Sequence, residues 1–197
     1  MALADRPTES SGASIADPTE LAALSAIVEG TAHSTGDEFF RRLVQNLATV
    51  LGTRYAMIAE FAGEKRARTL AYWSGDRIVE NFEYDLPGTP CEDVVAGNLC
   101  HHPTGVSRKF PADLPLAQMK IESYLGVPLV APDGKHLGHL CVFDTNPMPD
   151  EPRRMLIFRI SSPRAAAALA RTRVERDMSE SAERDGDLFD ETPTDNV

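Results

Sequence analysis

The chain has 197 residues, 42% of them apolar and 25% charged, a globular composition that excludes a wholly disordered protein. Against 20 basic residues stand 30 acidic ones, a net charge of −10, and most of that excess falls after position 174. An acidic chain without a basic footprint excludes direct nucleic-acid binding, and no run approaches the ~20 apolar residues of a membrane span. The first residues, polar and acidic, carry no apolar leader, so the expected compartment is the cytoplasm. Cys91, Cys100 and Cys141 are then expected as reduced thiols rather than a disulfide framework.

Residues 1–16 are small and polar and read as a disordered leader; residues 17–178 read as the folded body. Residues 179–197 read as a disordered acidic tail. Three helix starts carry the Thr/Asp…Glu pattern of a capping box: Asp17-Pro-Thr-Glu20, Thr35-Gly-Asp-Glu38 and Thr89-Pro-Cys-Glu92. Leu21, Leu24 and Ile27 form a short stripe after the first. After the second, Phe39, Phe40, Leu43, Leu47, Val50 and Leu51 recur at helical spacing until Gly52. The third stops at Gly97 and predicts about two turns.

Residues 55–61, 69–73 and 78–84 read as short strands; in the last, Ile78, Phe82 and Tyr84 are expected on one face. A strand at 99–102 and a short helix at 114–120 follow. Residues 123–131 and 135–144 flank Pro132-Asp-Gly134 and predict a hairpin. Its first strand should turn Leu125, Val127 and Leu129 to one side and Tyr124, Gly126 and Val130 to the other. A long helix is expected over 153–178, with Pro163 starting or kinking it. Antiparallel hairpins with helices at the ends and in the middle predict an α+β fold.

The motifs Gly88-Thr-Pro-Cys-Glu92, Cys100-His-His-Pro-Thr-Gly105, Arg108-Lys-Phe-Pro111, Glu122-Ser-Tyr-Leu-Gly-Val-Pro-Leu129 and Leu137-Gly-His-Leu-Cys-Val-Phe-Asp-Thr145 resemble a bacterial GAF domain of the signalling type. The resemblance covers about residues 21–173. It implies a GAF/profilin-like, six-stranded antiparallel sheet with the terminal helices on one face. It also implies a small-molecule pocket on the other face, under short helices and loops, and dimers through the terminal helices. Lys109-Phe110 lacks the flanking residues of the cyclic-nucleotide-binding relatives. No cysteine lies at 112–117, so tetrapyrrole attachment is not expected. No output domain fits after Met178, so the chain reads as a lone module or the front of a longer sensor.

The segment between Tyr84 and Ser123 is long and irregular, and such segments usually carry function. Cys91, Cys100, His101, Arg108 and Tyr124 are therefore the expected ligand-binding residues, Arg108 with Lys109 suiting an anionic effector. Cys91, near a helix start, is also a redox candidate. No metal site is expected, although Cys91, His136, His139 and Cys141 are potential ligands beside Cys100, His101 and His102: the last three are adjacent in a strand and point to alternate faces, and no Cys-x-x-Cys pair exists. The Ala-rich run 165–170 reads as a helix that pairs with a second copy.

The functional expectation is a non-enzymatic sensory or regulatory module for an unidentified effector, with no cofactor assigned and no nucleic acid or membrane as partner. It would signal through its terminal helices, as a homodimer or to a separate signalling protein. The alternatives are a thiol enzyme resembling the GAF-fold free-methionine sulfoxide reductases, whose attacking cysteine lacks a counterpart here, and a ligand-free dimerisation scaffold.

Overall fold

The computed structural model describes residues 34–97 and 99–190, with side chains through Ala182, together with Ala22, Ser25 and Thr31. The expected Asp17 helix start and the expected leader lie outside the described residues. The Thr35 segment forms α1 (Gly36–Leu51), whose apolar stripe Phe40, Leu43, Val44 and Leu47 is buried. The expected capping box does not close: the Thr35 hydroxyl makes no capping bond, and Glu38 pairs instead with Arg42 one turn on, at 2.7 Å. Gly52, at φ +62°, ends the helix, and the Thr53 N–H returns to the Ala48 carbonyl at 2.9 Å.

The strands are β1 (Tyr55–Phe61), β2 (Arg66–Ser74), β3 (Arg77–Val79), β4 (Glu83–Asp85), β5 (Cys100–His102), β6 (Ser123–Val130) and β7 (His136–Asp144). They make a 7-stranded antiparallel sheet in the order β3-β2-β1-β7-β6-β5, with β4 also on β2. The extra strand is the expected 78–84 strand broken in two. Leu70 bulges out of the β1–β2 ladder, and Thr69 turns its N–H to the Phe82 carbonyl at 2.9 Å. Asn81 then caps the Leu70 carbonyl with its side-chain amide at 3.1 Å. The break puts Ile78 against the helical layer and Tyr84 on the opposite face, not on one face as expected.

Between β4 and β6 lie α2 (Pro90–Val95), α3 (Val106–Lys109) and α4 (Leu114–Gln118); α3 was not anticipated. At α2 the Thr89 hydroxyl donates back to the Leu86 carbonyl, and Glu92 accepts from the Gly88 N–H, at 2.7 and 2.8 Å. The hairpin turn forms as expected, with Gly134 at φ +85° and its N–H on the Ala131 carbonyl.

The last helix, α5 (Pro152–Asp190), runs through Pro163 and past Met178 into the expected tail. Among the described side chains, its part from Glu175 to Ala182 is mostly exposed. There each residue added to an existing helix gains a backbone bond without needing a nucleus, so helix persists without packing. Within the chain, Ala165, Ala166, Ala168 and Leu169 of the alanine run are buried with α1 against the sheet, and Ala167 is left exposed. Among the described residues no helix is long and apolar enough to cross a membrane.

The sheet thus separates two apolar layers. Ile58, Leu125, Leu129, Leu140 and Val142 face α1 and α5. Tyr55, Met57, Tyr72, Tyr124, Cys141 and Phe143 face α2–α4. The alternation in β6 agrees with the sequence: Leu125, Val127 and Leu129 turn to the long helices, Tyr124 to the short ones.

Candidate functional site

The short-helix face holds a cavity of about 410 Å³. Its floor is aromatic: Tyr72 stacks on Phe143 at 5.9 Å, with Tyr55 behind Phe143 at 5.1 Å, and Phe82 meets the Tyr72 ring edge-on at 5.9 Å. Met57 and Tyr124 continue the floor, while Tyr84, Pro87, Cys91, Leu116 and Met119 make the walls. Asp85 and Asp113 stand at the cavity, and burial raises the Asp113 carboxyl above its ordinary range. No Lys or Arg lines it among the described residues.

At one end the apolar wall gives way to a buried polar cluster. The Tyr84 hydroxyl lies 2.6 Å from His139 Nε2 and 3.9 Å from Cys91 Sγ; the Tyr124 hydroxyl lies 3.4 Å from the same sulfur. Cys91 comes from α2, whereas His139 and Cys141, two positions apart, project from one face of β7. One ligating atom of each of the three lies within 4.8 Å of the others, and all three residues are buried. His139 Nδ1 has no hydrogen-bond partner.

The two sulfurs respond oppositely. A hydrogen bond from the Cys141 thiol, with His139 and Tyr124 adding to it against burial, holds the Cys91 thiol well below its ordinary range. Burial and the neighbouring Cys91 push Cys141 well above it. Burial likewise raises both phenols, Tyr84 and Tyr124. Gly126, opposite Cys141 in the ladder, makes the room: a Cβ there would overlap the Tyr124 ring and hydroxyl.

Of the five residues expected at the site, the fold brings Cys91 and Tyr124 together at the cavity. The other three do not line it. Cys100 is buried on β5 with its sulfur 3.1 Å from His102 Nε2, and burial pushes its thiol up to about 11. His101, on the alternate face, donates from Nε2 to the Met148 carbonyl, with Nδ1 against Asp150, both at 2.9 Å. Arg108 points to solvent and meets Glu122 at 3.4 Å. An anionic effector therefore loses its expected anchor.

The sequence names His139 and Cys141 as potential metal ligands and Tyr84 as a strand residue, but does not place any of the three at the site. The signal was present in the hairpin: the turn fixes a register in which Tyr124 faces Phe143 and Gly126 faces Cys141. Period-2 alternation then carries His139 to the same face. The expectation against a metal site rests on adjacent residues in one strand and on the lack of a Cys-x-x-Cys pair, whereas this cluster joins Cys91 of α2 to His139 and Cys141 of β7.

A family model described as the GAF domain matches residues 35–169, well over half of the chain. None of the curated proteins matches. Among solved structures, the GAF domain of an Acinetobacter phosphoenolpyruvate-protein phosphotransferase is similar at TM-score 0.65 and 14% identity, over 82% of this chain and 99% of that one. A phycocyanobilin-bound GAF domain from a cyanobacterial phytochrome is similar at TM-score 0.57 and 14% identity, over 79% of this chain and 96% of that one. The chromophore-binding domain of Stigmatella aurantiaca phytochrome P1 is similar at TM-score 0.62 and 14% identity, over 80% of this chain and 62% of that one.

Proposed function

The chain belongs to the GAF domain family, and from that premise we propose that it is a sensory module that binds a compact effector and signals through α5. The observation that carries the reading is the aromatic-floored cavity bordered by Cys91 and Tyr124. At about 410 Å³ it falls in the lower part of the usual range for small-molecule sites, roughly 300–1,000 Å³. Aromatic faces and two carboxylates favour a neutral or cationic effector with an apolar body. Catalysis is not part of this proposal; the role is regulatory.

A route from the cavity to the output helix supports it. Phe61, at the end of β1, packs beside the His139 ring, while its carbonyl accepts from Arg173 of α5 at 3.2 Å. One residue back, on the other face, Glu60 accepts from Arg173 and Arg176 at 3.1 and 3.0 Å. An effector that favours one position of this strand end would favour one setting of α5. We place pairing with a second copy on α5 beyond Arg173, where Val174 and Met178, one turn apart, are 57% and 68% exposed. A separate signalling protein is the other receiver in this scheme.

A thermal-shift screen of compact neutral and cationic aromatics, followed by NMR mapping of the hits, tests the reading. The expected result is a raised Tm with perturbed amides at Met57, Tyr84, Cys91 and Tyr124. Perturbations confined to α1 and α5 would overturn the pocket and leave a scaffold that only joins chains.

A further inference from the structure

We propose that Cys91, His139 and Cys141 bind a thiolate-preferring divalent ion of the Zn2+ class. The three ligating atoms already lie within 4.8 Å of one another, against about 3.7 Å for the edge of a tetrahedral zinc site with ~2.3 Å bonds. His139 is wholly buried with Nδ1 unpartnered, so a lone pair or N–H stands in the interior with nothing to meet it. An ion held through Nδ1 would supply that partner, with the Tyr84 hydroxyl left on Nε2.

Charge selects the class. Two thiolates and a neutral imidazole exactly offset a divalent ion, so the loaded site adds no net charge to an apolar layer. A monovalent soft ion would leave one negative charge buried, and hard ions prefer oxygen donors. On binding, each metal–sulfur bond replaces an S–H bond and its proton leaves to solvent; no electrons move. Three protein ligands leave one tetrahedral position, and because Cys91 stands in the cavity wall, that position is reached from the cavity. The second grouping, Asp93, Cys100 and His102, is the poorer candidate: the Lys109 ammonium lies 3.4 Å from His102 Nδ1 and would repel a cation. The inference stands apart from the effector reading, because metal uptake is measured without any effector.

The test is titration of the reduced, chelator-stripped full chain with Co2+, then Zn2+. One equivalent of Co2+ should give a thiolate-to-cobalt charge-transfer band with tetrahedral d–d bands, and Zn2+ should displace it. Cys91→Ala should abolish the band and Cys100→Ala should keep it. Added imidazole should shift the d–d bands; unshifted bands would overturn the open position. Absence of the charge-transfer band in wild-type chain whose near-UV CD is native would overturn the site. So would a band lost in Cys100→Ala but kept in Cys91→Ala, which, lying in the cavity wall, is the variant least disturbing to the core.

Discussion

Glu60 is 3% exposed, and its carboxylate survives burial because three guanidinium groups converge on it, from Arg68, Arg173 and Arg176. Burial alone would raise its pKa; the Arg68 bond and the two α5 arginines outweigh that and lower it. A carboxyl whose folded pKa lies below its unfolded value, about 4.3, contributes stability that is complete above that value and is lost as pH falls through the folded pKa. Glu60→Gln should therefore cost about 1–3 kcal/mol at pH 7, and urea midpoints should converge with wild type below about pH 4. None of this was legible in the sequence, where Glu60 ends an ordinary strand pattern and two partners lie 113 and 116 positions away. Gly126 was legible only as part of a motif; its role depends on the Tyr124 ring folding over it. Gly126→Ala should cost about 1–3 kcal/mol in denaturant unfolding, as the fully packed tyrosine must move.

The hairpin β6–β7 was read correctly because its turn residues and its alternation agree, so register and face follow together. Leu125 is fully buried on the long-helix side, and Leu125→Ala should lower the unfolding free energy by about 2–5 kcal/mol in a urea titration. The break between β3 and β4 was not legible, since it depends on a bulge at Leu70 answered by Asn81 and Phe82 across the ladder. In α5, Pro163 supplies no N–H for the Arg159 carbonyl, yet the helix continues because Ala165, Ala166 and Leu169 pack behind it. Pro163→Ala should raise stability by about 1–2 kcal/mol, read as a higher urea midpoint.

Across the whole molecule, one sheet serves two layers with different tasks. The long-helix layer is aliphatic and was legible from helical spacing. The short-helix layer is aromatic and polar, and its cavity depends on segments far apart in sequence, so only Cys91 and Tyr124 of the expected site reached it. On the exposed side of α5, Val174→Glu with Met178→Glu should turn the proposed dimer into a monomer in sedimentation velocity. The thermal midpoint of the body should stay unchanged, since neither side chain is buried. The grip of Arg173 and Arg176 on β1 also sets a fulcrum. From Arg176 to Asp190 are 14 residues of helix, an arm of roughly 21 Å at about 1.5 Å per residue. A tilt of about 5° at the fulcrum would swing the far end by about 2 Å, so a shift too small to notice in the cavity would arrive at the tip as a change of neighbours.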